Sequence, residues 1–180
     1  MVMRAKAHLE KPVTASGIGA LTDIVDDTSP QLGGDLEYNE YNMVFDITLS
    51  ADDKAAGDII TVTFGETVAF GQLVYPDATA NEFKLALGTN AGTTWPAMGV
   101  ALEAKNDGES GKMLLRGTIR DATHFSGFAM GDILWVSDSV SGGYVNTQPS
   151  DSGDIVQPVG WMIAANYAFF NPDYTWVELG

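Results

Sequence analysis

Asp58-Ile59-Ile60-Thr61-Val62-Thr63-Phe64 alternates strictly: Ile60, Val62 and Phe64 fall on one side of an extended chain, and Ile59, Thr61 and Thr63 on the other. β-branched and aromatic residues at a period of two are what a half-buried strand requires. From Gly57 onward the habit recurs in short runs at 72–75, 83–87, 97–102, 112–119, 132–136, 144–147, 156–164, 168–170 and 175–179. Gly, Asn, Asp, Ser and Pro separate the runs, and none carries a long helical stripe. Many short strands with such punctuation predict an all-β domain over 57–180, a small β-sandwich or barrel.

Working outward, the region also carries an internal echo. Gly71-Gln-Leu-Val-Tyr resembles Gly131-Asp-Ile-Leu-Trp, and Pro96-Ala-Met-Gly-Val-Ala-Leu resembles Pro158-Val-Gly-Trp-Met-Ile. From the first glycine to the second is 28 residues in one copy (99 − 71) and 29 in the other (160 − 131). Each copy has a glycine opening a strand that ends in an aromatic, a variable loop, and a second glycine entering a buried strand. Two related β units packed face to face are expected.

Residues 1–56 behave differently. Pro12, Gly17, Gly19, Pro30, Gly33 and Gly34 interrupt them, yet Ile18, Leu21, Ile24, Val25, Leu32 and Leu36 are scattered through them. That is too much apolar surface for a solvated tail and too irregular for a core. An extended N-terminal arm is expected, lying along its own body or a partner, with Ile18, Leu21, Ile24, Leu32 and Leu36 as contact residues. A short helix over 16–25, capped by Ser16, would need support from a neighbour.

The chain holds 24 acidic and nine basic side chains, a formal charge of −15. Such a charge favours solubility and repels phosphates, so neither nucleic acid nor an anionic membrane is an expected partner. Three basic residues, Arg4, Lys6 and Lys11, stand at the front, and residues 12–53 contain nine acids and no Lys or Arg. A basic tip bearing Arg4 and Lys6 can pair with the acidic face of a neighbour. No cysteine is present, which removes disulfides and thiolate metal sites. The apolar runs at 161–165 and 167–170 are too short to span a bilayer, and no apolar stretch follows the basic tip as a secretory signal would require.

Little in the sequence points to chemistry. Gly-x-Ser-x-Gly is missing, and His8 and His124 stand in unlike settings. Gly108-Glu-Ser-Gly-Lys-Met fails as a phosphate loop because Asn106 and Met113 replace the required glycine and hydroxyl. It reads as a tight turn. Asp138-Ser-Val-Ser-Gly-Gly and Asp151-Ser-Gly-Asp offer oxygen ligands without the spacing of an EF-hand, and turns held by side-chain bonds to amides are the expectation. No cofactor, metal or catalytic residue is assigned. Trp95, Trp135, Trp161 and Trp176 are expected in the core, a sugar-binding platform being the alternative. Phe125-Ser-Gly-Phe-Ala-Met, an apolar loop of small residues, is expected to be an exposed contact patch centred on Phe125 and Phe128.

Two stretches resemble tailed-bacteriophage virion proteins. Val25-Asp-Asp-Thr-Ser-Pro-Gln-Leu-Gly-Gly-Asp-Leu-Glu is similar to a segment that recurs in phage structural and fibre proteins, although Glu37-Tyr-Asn-Glu-Tyr-Asn stands here where a Leu-Asn-Gly turn is usual. The order of Gly71-Gln-Leu-Val-Tyr, Leu114-Leu-Arg-Gly, Gly131-Asp-Ile-Leu-Trp, Thr147-Gln-Pro-Ser-Asp-Ser-Gly-Asp and the closing Phe170-Asn-Pro-Asp-Tyr-Thr-Trp looks like the small β domains of capsid decoration (cement) proteins and of phage fibres. The resemblance implies a non-enzymatic virion protein, often trimeric, whose arm laces neighbours together. Its expected partners are the major capsid protein or other virion subunits and further copies of itself. Its place would be the virion, assembled in the host cytoplasm. A tail-fibre or fibre-adaptor role and a carbohydrate-binding module are the alternatives.

Overall fold

The structure is a computed structural model that describes residues 49–78, 80–93 and 96–180. Residues 1–48 of the expected arm, with its contact residues Arg4, Lys6, Ile18, Leu21, Ile24, Leu32 and Leu36, lie outside the described residues, as do the expected helix over 16–25 and Trp95; the last three residues of that arm, Lys54 to Ala56, belong to a strand. Among the described residues there are eleven strands: β1 (Lys54–Thr63), β2 (Leu73–Asp77), β3 (Glu82–Leu85), β4 (Gly99–Ala101), β5 (Ser110–Arg120), β6 (Ile133–Val136), β7 (Tyr144–Val145), β8 (Ile155–Val156), β9 (Pro158–Ala164), β10 (Tyr167–Phe170) and β11 (Val177–Glu178). A 3-10 turn at Ala91–Thr93 is the one helical element among the described residues. The described part of the chain is all-β, an antiparallel sheet curled into a half-barrel.

The alternating stretch that opens the region is, up to Thr63, the second part of β1, which starts at Lys54, four residues before the alternation begins at Asp58. The run at 156–164 divides into β8 and β9 at Gln157. That side chain is fully buried, and its carboxamide bonds the backbone N–H and C=O of Ala97 at 2.9 and 3.0 Å and the C=O of Asp173 at 2.8 Å. A buried amide must satisfy its own donors and acceptor, and here it does so by stepping out of the ladder.

The sheet runs β3-β2-β4-β5-β10-β9-β6-β7, with β1 laid along β5, and β8 and β11 form a separate ribbon. β5 organises it. Its whole length pairs with β1, from Ser110 opposite Thr63 to Arg120 opposite Lys54. The register passes from Asp58–Arg116 to Ile59–Leu114, so Leu115 is an extra, bulged residue. A bulge bends the strand and sharpens its twist. Before the bulge Met113 and Leu114 pair with β4; after it Gly117 to Arg120 pair with β10. One strand therefore serves two halves of the sheet.

The halves repeat each other bond for bond. Gly71 (φ 85°) and Gly131 (φ 92°) each occupy the left-handed position of a tight turn that starts at Ala69 or Ala129. Gln72 and Asp132 send a side-chain oxygen back to the amides of Ala69 and Ala129, at 2.7 and 2.9 Å. Gly71 N–H donates to Ala101 O at 2.8 Å as Gly131 N–H donates to Met162 O at 2.9 Å, and Ala101 and Met162 return bonds to Gln72 and Asp132. Leu73 faces Val100 and Val100 faces Leu114; Ile133 faces Trp161 and Trp161 faces Phe169. The sequence echo is thus a structural repeat: β1–β2–β3–β4–β5 in the first half, and β5–β6–β7–β9–β10 in the second. The end of one repeat and the start of the next are the two parts of β5.

The halves join edge to edge through β5. Main-chain bonds from Gly142 to Ala86 (2.7 Å), Gly88 to Ser137 (2.7 Å) and Leu73 to Gly142 (2.8 Å) tie the far ends together. The curl lets them face each other across the larger core, but with unlike faces. Leu73, Val100 and Leu114 of the first half join Leu134, Met162, Ala168 and Phe170 of the second in that core. The first-half equivalents of Leu134, Met162 and Ala168 are Val74, Ala101 and Met113. They instead form a smaller core with Phe64 and Val68. Fully burying one such side chain is worth about 1.5–3 kcal/mol, so both cores are real contributors.

Candidate interaction surface

Strand alternation together with the repeat decides which side chains are left outside. In the first half the row Leu73–Val100–Leu114 is completely buried, because the second half covers it. In the second half the corresponding row is Ile133–Trp161–Phe169, and the described residues do not close over it. Ile133 is 48% and Trp161 44% exposed, and Phe169 is half-buried. The Trp161 and Phe169 rings lie 4.9 Å apart at 41°. In register the row continues into Thr118 of β5 and Ala56 of β1, neither of them ionisable, but Thr118 is only 2% exposed, so the open part of the row ends at Phe169. An apolar hollow of about 390 Å³ borders it, lined by Gly131, Pro158, Gly160, Asn171 and Asp173 besides Ile133 and Trp161. Alternation on β5 puts Arg116 and Arg120 on the same side as Thr118, and both are paired with acids: Arg116–Asp58 at 3.8 Å and Arg120–Asp52 at 2.9 Å. The surface has an uncharged centre and a polar rim that holds the paired Arg116 and Arg120 and the exposed carboxylate of Asp173, which accepts from the Thr175 amide at 2.8 Å.

Arg120 also fastens the chain where it enters β1. Its guanidinium donates to Leu49 O at 2.9 Å and lies 5.3 Å from the Tyr167 ring centre, while Tyr167 O–H donates to Leu49 O at 2.6 Å. Hydrogen bonding to Tyr167 and Asp52 raises the Arg120 pKa further.

Of the contact residues expected from the sequence, two are described. Phe125 is 1% exposed and packs edge-on against Tyr144 at 5.1 Å inside the larger core, so it is not available to a partner. Phe128 is half-buried against the same core. The loop is exposed at Met130 instead, 79% of whose surface is open. The loop's aromatics turn inward because it supplies the second repeat with what Phe64 and Val68 supply to the first. Trp161 likewise departs from its expected burial. β9 reads as apolar on both sides, Val159, Trp161 and Ile163 against Gly160 and Met162, and nothing in that composition says which side is left open. The echo of Trp161 with Val100 was the available signal, but it marks a row without saying what covers it.

The remaining motifs serve the fold. Asn106 N–H bonds Glu109 Oε2 at 2.7 Å, closing the turn into β5 at Gly108. Asp151 N–H bonds Asp154 Oδ2, and Ser137 Oγ accepts from the amides of Ser139 and Val140, so both acidic loops are turns held by side chains. Asp121 is 1% exposed and accepts from the amides of Thr123 and His124, with His124 Nδ1 at 2.5 Å. Burial pushes its pKa upward, but the His124 side-chain bond and charge and the two amides outweigh this and hold it below the usual value. Beside it Tyr144 O–H donates to Gly71 O at 2.9 Å, and burial pushes that phenol well up. Among the described residues no three His, Asp or Glu side chains gather as a metal site. No family model matches the chain, and no curated protein matches it.

Proposed function

We propose that this chain is a structural protein of a tailed-phage virion, a capsid decoration (cement) protein that works by docking onto other chains. The observation that carries the docking is the open row Ile133–Trp161–Phe169 on a body whose two cores are otherwise filled. Apolar surface of this kind stabilises an assembly by roughly 25 cal/mol per Å² removed from water. The likeness of 25–37 to phage structural segments directs the docking to a virion, with the major capsid protein or other virion subunits as partners and a homotrimer as the assembled form. The net charge of −15 fits the outside of a shell better than the inside, where packaged DNA would repel it.

Counting copies per particle by quantitative mass spectrometry tests the placement. Hundreds are expected on a shell. A small multiple of three or six would move the protein to a fibre or fibre adaptor. A carbohydrate-binding module is favoured by one observation, the exposed tilted pair Trp161 and Phe169. Quenching of tryptophan fluorescence by host polysaccharide at millimolar concentration or below would establish that reading in place of the cement role.

A further inference from the structure

We infer that the outer edge of β1 is a docking site for a strand, and that residues 41–48 of a neighbouring copy supply it. This deepens the homotrimer part of the proposed function and rests on it. β5 has two sides: β1 occupies the whole of one, and β4 and β10 share the other. β1 therefore ends the sheet, and its outer edge pairs with no strand of the described residues. It is ten residues long, has no proline, and carries its one Lys, Lys54, at the first position. Ile59 and Ile60, which point to opposite faces, are 41% and 40% exposed. A long apolar edge of this kind presents a row of open N–H and C=O groups that only another extended backbone can satisfy.

Pattern and charge select the occupant. Every strand of the described residues already has a partner in its own chain. Tyr41-Asn-Met-Val-Phe-Asp-Ile-Thr alternates as a strand should, with Tyr41, Met43, Phe45 and Ile47 on one side. β1 and β5 carry Lys54, Lys112, Arg116 and Arg120 against Asp58 alone, in a chain of charge −15. Residues 35–48 hold four acids and no Lys or Arg, so a strand from this stretch is attracted to that ribbon. Leu49 O is held by Arg120 and Tyr167 on the β10 side of β5, two strand spacings, about 10 Å, from the free edge. A strand ending at Thr48 is thus out of reach of its own β1, and the edge it fills is a neighbour's. A head-to-tail contact of this kind can close into a ring, as a trimer requires.

The chain has no cysteine, so introduced thiols report on chosen places. Full-length chains bearing Phe45→Cys and Ile60→Cys are produced together and treated with a short bis-maleimide. The control pairs Phe45→Cys with Val140→Cys, a position 60% exposed. Joined peptides are identified by mass spectrometry, and mass is measured by light scattering on the same samples. The expected result is a multimer in which Phe45→Cys joins Ile60→Cys at least about tenfold faster than it joins Val140→Cys, because docked sites meet at a high effective concentration. Phe45→Pro, which removes a ladder N–H, should weaken assembly by roughly fivefold. Ile60→Glu, which sets a carboxylate against the acidic segment, should weaken it at least as much, and Val140→Glu should leave it unchanged. A monomer overturns the inference and removes the trimer from the proposed function with it. A multimer in which the two joins form equally fast overturns the edge alone and leaves the assembly reading standing. Joining confined to a single chain that carries both thiols also overturns it, by giving the edge to the chain's own segment. The cross-link comparison decides even if Ile60→Glu fails to fold.

Discussion

At the scale of single residues, the two turn glycines separate backbone strain from packing. Gly71 and Gly131 share a conformation, but a Cβ on Gly71 would lie 1.8 Å from Asp121 Oδ2 and 2.7 Å from His124 Nδ1, whereas one on Gly131 meets nothing within 4 Å. Gly131→Ala should therefore lose only the left-handed strain, about 1–2 kcal/mol. Gly71→Ala should lose that and roughly 1–3 kcal/mol more for the overpacking. Equal losses in urea denaturation would show that the Asp121–His124 pair does not press on the turn. Asp121 itself makes a pH prediction. Its folded-state pKa is depressed, so its stabilising effect is complete above its unfolded value, near 4, and fades as pH falls through the lower folded value. Asp121→Ala should destabilise by about 1–3 kcal/mol at pH 7, because two amides and a ring nitrogen lose their acceptor. The gap from the parent should narrow toward pH 2; a gap constant from pH 7 to 2 would mean the charge contributes nothing. Neither role was legible beforehand. Asp121-Ala-Thr-His reads as a polar turn, and its burial depends on Gly71, fifty residues earlier in the chain.

Elements were far more legible than contacts, because strand alternation is local and partner choice is not. Every run read from residue 57 onward contains a strand, since β-branched and aromatic residues at period two state their conformation without reference to the rest. The repeat, too, showed in its glycines. What did not show was β5 acting for both repeats, because 112–119 reads as one uninterrupted strand and the bulge at Leu115 leaves no mark in composition. Gln157 is the opposite case: a polar residue in the middle of an apolar run that proved to be a boundary. Gln157→Leu should cost about 2–4 kcal/mol, since the Ala97 N–H and two carbonyls would be left buried without partners. Hydrogen exchange should then rise around Ala97 and Asp173 before it rises in β5. If exchange rises uniformly, the carboxamide is not what holds those loops to the sheet.

For the molecule as a whole, the question is where self-sufficiency begins. Both cores are built from Phe64 onward, while Leu49 and Asp52 are gripped by Arg120 and Tyr167 at the mouth of β1. The boundary of a stable body is thus before Leu49 rather than at the change of sequence pattern near 56. A chain lacking residues 1–48 should unfold in one cooperative transition close to that of the parent. A chain lacking residues 1–53 should melt about 3–8 °C lower, because a charged hydrogen bond to Asp52 and two bonds to Leu49 O are gone. Scanning calorimetry of the two truncations checks this. The first truncation also divides the proposed function into its parts. If residues 1–48 lace neighbours together, the body should fold yet fail to sediment with phage shells. Full shell binding by the truncated chain would transfer the whole of the attachment to the β domain and leave the N-terminal residues without the part proposed for them.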